Sequence, residues 1–158
     1  MSADGIILVT GGSRGIGAAT AILLAEQGRR VVITDIAPEQ PQGADVILWW
    51  PTPFDVASES VVVNGIAEIE ARHGPMAGLV NAAGIFGKMH PVEKVRIENW
   101  DREINIDLRG TFLVARSVGE QMTKRQHGAV VNVTSIAGKK EFISILLTEQ
   151  NRRRRLRG

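Results

Sequence analysis

Thr10-Gly11-Gly12-Ser13-Arg14-Gly15-Ile16-Gly17 joins the apolar run Gly5 to Val9 to an alanine- and leucine-rich stretch, Ala18 to Gln27. Strand, glycine turn and helix in that order suit a dinucleotide pyrophosphate, because the helix aims its unpaired N–H groups and positive dipole end at the anion. Glycine at 11 and 15 permits a tight turn, and Gly17 permits close packing of the new helix. Thr10, Ser13, Arg14 and Ile16 fall within the same turn and are assigned to the same site. A glycine turn can also cap a helix with no ligand, so the flanking context decides. Here a second strand, Val31 to Thr34, ends in Asp35, 18 residues past Gly17. A carboxylate there can accept both ribose hydroxyls of NAD and repels a 2′-phosphate, so the expected cofactor is NAD rather than NADP. Arg14 works against that preference, since a basic side chain in the turn can meet a 2′-phosphate.

Composition fits one compact α/β domain. Hydrophobic residues make up 44% of the 158 and charged residues 23%, enough to bury a core and coat it. No apolar run approaches the ~18–20 residues of a membrane span, and Met1 to Asp4 offer no signal-peptide pattern. A cytoplasmic protein with no membrane partner is expected. With no cysteine in the chain there are no disulfides, thiolate ligands or thiol nucleophiles. His73, His90 and His127 stand apart beside Gly74, Pro91 and Gly128. They read as solvated loop residues, and no metal site is expected.

Strand and helix signals alternate. Pro38, Pro41 and Gly43 rule out a long helix after the second strand. Ser58 to Arg72 reads as a helix with Ser58 as N-cap and an apolar face of Val61, Val62, Ile66 and Ile69, stopped by His73-Gly74-Pro75. Ile97 to Arg125 reads as one long helix, bent near Gly110, with Ile104, Leu108, Phe112, Ala115 and Val118 on one face. Strands separated by helices imply right-handed crossovers and a parallel sheet covered on both sides.

Four segments in order give the chain its family resemblance. The first is the T-G-x-x-x-G-x-G spacing at Thr10 to Gly17. Asp55-Val56 follows the strand-like Val46 to Trp50, and Asn81-Ala82-Ala83-Gly84 closes Gly78-Leu79-Val80. The fourth runs Val130-Val131-Asn132-Val133-Thr134-Ser135-Ile136-Ala137-Gly138. From about Gly5 to Gly138 the chain resembles the short-chain dehydrogenase/reductase family. The resemblance implies a Rossmann-type, doubly wound parallel sheet, incomplete at about five strands. It implies an adenosine half formed by Gly11, Gly15, Gly17, Asp35, Asp55 and Val56, and a nicotinamide half that depends on Asn81, Ala82, Ala83 and Gly84. It further implies hydride transfer between NAD and a small alcohol or ketone, Ser135 orienting the substrate oxygen, and homo-oligomers built through the long helix. Nucleic acid is not among the partners it implies.

The chain departs from the family at three catalytic positions. The family's N-L-x-G-x-F falls on Asp107-Leu108-Arg109-Gly110-Thr111-Phe112, so Asp107 replaces the asparagine of a water relay. Ionised aspartate cannot donate a hydrogen bond, which weakens that relay. The family's Y-x-x-x-K should begin about a dozen residues beyond Ser135, but the chain contains no tyrosine and reads Ile143-Ser144-Ile145-Leu146-Leu147-Thr148-Glu149-Gln150 there. Without that pair the chain is expected to be catalytically inactive, a nucleotide-binding remnant of an oxidoreductase.

Charge divides the chain at the same place. Lys139 to Gly158 holds seven basic against two acidic residues, a net of +5, so Met1 to Gly138 carries −3 of the chain's +2. The division expected is an NAD-binding domain over 1–138 and an aberrant basic tail over 139–158. The tail has two readings. One is a basic arm on an interaction module. The other is a shifted reading frame: overlapping codons from Leu146 to Arg157 permit Y-S-x-S-K-T-A-V-A-G-F, close to the family's Y-x-A-S-K-x-A-V-x-G-F. On that reading the arginine run is a set of out-of-frame alanine, valine and glycine codons.

Overall fold

The computed structural model describes residues 5–41, 47–87 and 90–135. The segment Ile136 to Gly138 and the tail 139–158 lie outside these residues, as do Gly43, Val46 and Met1 to Asp4. Strands β1 (Ile6–Thr10), β2 (Arg30–Thr34), β3 (Leu48–Trp49), β4 (Met76–Asn81) and β5 (Ala129–Asn132) pair in parallel in the order β3-β2-β1-β4-β5. The expected five-stranded Rossmann-type sheet is therefore present. Strand order reverses between β1 and β4, the switch point at which such sheets open a crevice.

The period-2 alternation of strand side chains splits the core into two layers. Ile6, Leu8, Val32 and Leu79 pack with α2 (Glu59–His73) and α4 (Thr111–Arg125). Val9, Val31, Ile33 and Val80 face the other way, onto α1 (Gly15–Glu26). α1 begins inside the glycine turn, earlier than Ala18, because Arg14 already adopts the extended N-cap conformation. α2 buries Val62, Gly65, Ile66 and Ile69, close to the expected face, and Ser58 precedes it without a side-chain cap hydrogen bond. Among the described residues no helix joins β2 to β3.

The long helix differs from its expected form. α3 (Ile97–Glu103) runs into a seven-residue π-helical segment, Ile104–Gly110, and only then into α4. Bonding from i to i+5 advances fewer degrees per residue than an α-turn, so a 3.6-residue period carried through the segment loses phase. Val118 is buried as expected, but Leu108 is 65% and Phe112 57% exposed. The inward face is instead Gly110, Leu113, Val114, Val118 and Met122.

His73 also corrects its expected role. It closes α2 with its ring edge-on to the buried Trp50, centroids 6.5 Å apart, and its carbonyl accepts the Arg30 guanidinium at 3.0 Å. Burial, then the charges of Arg30 and Arg72, lower its pKa below 6.5. Unfolded chain then binds more protons than folded chain between that lowered value and 6.5, so stability is complete above 6.5 and falls as pH drops through this window. We expect the melting temperature to fall on acidification from about pH 7.5 to about pH 5.5, and His73→Gln to flatten the fall. An equal drop in both proteins would show that His73 does not carry the effect.

Candidate functional site

A cavity of about 980 Å³ lies beyond the carboxyl ends of β1 to β4. Its wall is made by the glycine turn after β1, Asp35-Ile36 after β2, Phe54 to Ala57 after β3, and Ala82 to Ile85 after β4. Residues of α3 and the π-helical segment, Glu98, Asp101, Arg102, Asn105 and Ile106, complete it.

Backbone proximity shapes the turn. Gly11 has φ +64°, and a Cβ on it would lie 2.7 Å from Ala83 Cα. A Cβ on Gly17 would lie 2.1 Å from the Gly11 carbonyl oxygen, so its constraint comes from the turn folding on itself rather than from the strand. Thr10, 1% exposed, uses its hydroxyl oxygen to accept the Ala82 and Ala83 amides at 3.3 Å each, tying the turn to the loop after β4. The Gly12 amide donates to Thr34 O at 3.1 Å. Ala18 N donates to Arg14 O at 3.2 Å, while the amides before it in the first turn have no carbonyl to meet inside the helix. No acidic side chain occupies that first turn, and no side chain caps it. The result is a helix N-terminus set behind a turn in which Gly11 and Gly17 leave no room for a Cβ, a fit for a pyrophosphate.

Asp35 stands beside this cradle, 8% exposed. Its Oδ2 accepts the Ser13 amide at 3.2 Å and its Oδ1 the Ala37 amide at 3.3 Å. Each oxygen keeps a second lone pair, so the carboxylate can still accept a hydroxyl from a ligand in the cavity. Asp55 is arranged similarly: Oδ1 accepts the Ala57 amide at 2.9 Å while the residue lines the wall.

The structure brings Gly11, Arg14, Gly15, Ile16, Gly17, Asp35, Asp55, Val56, Ala82, Ala83 and Gly84 to this one wall. Thr10, Ser13 and Asn81 do not line it; Thr10 holds Ala82 and Ala83, and Ser13 holds Asp35. Asn81, 4% exposed, donates to Asn132 Oδ1 at 2.9 Å and to Thr111 O at 3.4 Å, linking β4, β5 and the start of α4. Ser135 lies exposed just past β5 and outside the wall. Asp107 is also outside it, with Oδ1 accepting the Ile85 amide at 2.8 Å. That bond needs only an acceptor, so aspartate serves there. Sequence reasoning missed Ile36, Phe54, Ala57 and Ile85, which adjoin assigned motifs and could have been found by extending them. It also missed the five residues from α3 and the π-helical segment, which carry no motif.

Comparison with known proteins finds relatives over most of the chain. A family model described as short chain dehydrogenase matches residues 5–146. The chain is 32% identical over 143 residues to levodione reductase of Leifsonia aquatica, covering 85% of this chain and 54% of that protein. It is 39% identical over 146 residues to acetoacetyl-CoA reductase of Shinella zoogloeoides, covering 85% and 56%. The crystal structure of levodione reductase superposes with a TM-score of 0.79 at 31% identity, over 87% of this chain and 57% of the other. The chain thus spans about half the length of the curated relatives it matches.

The turn geometry predicts opposite outcomes for two glycine-to-alanine changes. Gly17→Ala forces a Cβ onto the Gly11 carbonyl and should cost about 1–3 kcal/mol by overpacking. Gly119→Ala, within α4 and with nothing within 4 Å of its Cβ, should stabilise by about 0.5–1 kcal/mol. Urea denaturation of both variants checks the pair; equal effects would contradict the turn geometry.

Proposed function

The chain belongs to the short-chain dehydrogenase family, and from that premise we propose that it binds NAD(H) through residues 1–138 without transferring hydride. The observation that carries this reading is the glycine turn, with its first-turn amides at the cavity and the Asp35 carboxylate beside them. The α1 N-terminus and the Gly11 to Gly17 backbone would take the pyrophosphate. Asp35 would accept the adenosine ribose hydroxyls, Asp55 and Val56 would meet the base, and Ala82 to Gly84 would lie along the nicotinamide side.

A bound nicotinamide supplies a hydride donor or acceptor to an alcohol or carbonyl carbon. The chain's own part is then to orient the substrate oxygen and move its proton. Ser135 would orient that oxygen. The sequence holds no tyrosine to move the proton, and a threonine hydroxyl is not a base near neutral pH. Thr148 and Arg152, which mimic the Y-x-x-x-K spacing, lie outside the described residues. The lineage is proposed to act on a small alcohol or ketone in the cytoplasm, as a homo-oligomer, with no nucleic-acid partner. The tail 139–158 is proposed to be an out-of-frame extension.

Titration by nicotinamide fluorescence should show NADH binding more tightly than NADPH. Asp35→Asn should narrow the difference by about tenfold, since it removes one charge repulsion at close range. Tighter NADPH binding by the unmodified chain would overturn the assignment of Asp35. With alcohols and carbonyls, turnover should not exceed a buffer blank, because positioned acid–base catalysis alone contributes ~10²–10⁴-fold. Turnover abolished by Ser135→Ala would show that another group carries the proton.

A further inference from the structure

Two walls of the cavity, the Asp55-Val56-Ala57 loop and the Ala82 to Ile85 loop, are both tied to the seven-residue π-helical segment. Asp107 holds the second through the Ile85 amide. Arg109, two residues on, donates from Nη1 to the carbonyl oxygen of Ala57. Its Nη2 lies 3.9 Å from Glu59 Oε2, and Glu59 also pairs with Arg116, whose guanidinium stacks 5.6 Å from the Phe112 ring. Gly110 completes the junction: a Cβ there would come 2.7 Å from Val56 Cγ2, so the helix backbone lies directly against the loop.

We infer that Arg109 is a positioning residue for the base-side wall of the nucleotide site, acting through the Ala57 carbonyl on Asp55 and Val56. This deepens the nucleotide reading above and rests on it. The loop is a single turn closed by its own bonds, Ala57 N to Asp55 Oδ1 and Ser58 N to Asp55 O at 3.1 Å. Those bonds fix the shape of the turn but not its distance from the opposite wall. Phe54 N to Asp35 O at 2.8 Å anchors the entry to the loop, and Arg109 anchors its exit. The Arg109 and Glu59 side chains are 45% and 52% exposed, so their ion pairing contributes little to stability. The consequence of the network is therefore geometric. A planar guanidinium reaching a carbonyl and a carboxylate at once sets a direction that a single flexible ammonium cannot.

AMP is the probe, since it carries the base and ribose but no nicotinamide. Calorimetric titration of the full chain should show AMP affinity falling about tenfold in Arg109→Ala and by less in Arg109→Lys, with melting temperatures close to the unmodified value. Amide exchange at Ala57 and Ser58 should quicken in both. Arg125→Ala is the control. Arg125 braces Glu70 at 3.0 Å and Met76 O at 3.1 Å away from the cavity, so this change should lower the melting temperature and leave AMP affinity unchanged. If Arg109→Ala does not fold, affinity and exchange in Arg109→Lys decide alone. AMP binding and exchange equal to the unmodified chain would overturn the role of Arg109 while leaving the nucleotide site standing. Failure of the unmodified chain to bind AMP would instead overturn the nucleotide reading itself, and this inference with it.

Discussion

The approach of Gly17 to the Gly11 carbonyl is the constraint on which the site depends. A Cβ at position 17 would sit 2.1 Å from that oxygen, inside any tolerable contact. Because the turn closes this tightly, α1 starts at once after β1 and points its first amides at the space beyond the strand ends. The turn does not hold itself. The Thr10 hydroxyl oxygen, buried at the end of β1, accepts two amides from the loop after β4, and the Thr34 carbonyl takes the Gly12 amide from the other side. Three neighbouring strands thus fix one loop, and the loop fixes the cavity.

The π-helical segment is the second constraint, and it acts on the opposite side. An ordinary α-turn would place the residues after Ile104 at a different angle about the helix axis. With the wider turn, Asp107 faces Ile85 and Arg109 faces Ala57, while Gly110 seats against Val56. Wide helical turns of this kind cost hydrogen-bond quality and are concentrated where function repays it. Here the benefit is a single rigid element that touches two loops of the same cavity. The substitution of aspartate for the family's asparagine is compatible with this, since the observed bond requires an acceptor alone.

The fold was legible because its signals are local and redundant. Ile6 to Thr10, the glycine turn and Asp35 each announce themselves within a few residues, and parallel strands buried on both faces read as apolar runs. The phase of the long helix was not legible, because nothing in Ile104–Gly110 marks the change from i+4 to i+5 bonding. Of the expected apolar face, Leu108 and Phe112 lie at the surface while Val118 is buried. The far wall of the cavity was missed for a related reason. Glu98, Asp101 and Arg102 look like any solvated helix face until the fold brings them over the strand ends. His73 reads as a loop residue from its glycine neighbour, yet Trp50, 23 positions earlier, gives it a ring to pack on.

β5 is the edge strand of the described sheet. All four of its residues are exposed, with Val131 at 55%. On one side β5 pairs with β4, and Asn132 meets Asn81 through their side chains. Ser135 lies three residues beyond β5 and is exposed. The glycine turn lies two strands inward, where Leu8, Val9 and Leu79 are fully or almost fully buried. The glycine turn therefore springs from the buried centre of the sheet, although Arg14, Gly15 and Ile16 in the turn itself are exposed. The turn is thus held by buried strands while the residues it carries outward line the cavity.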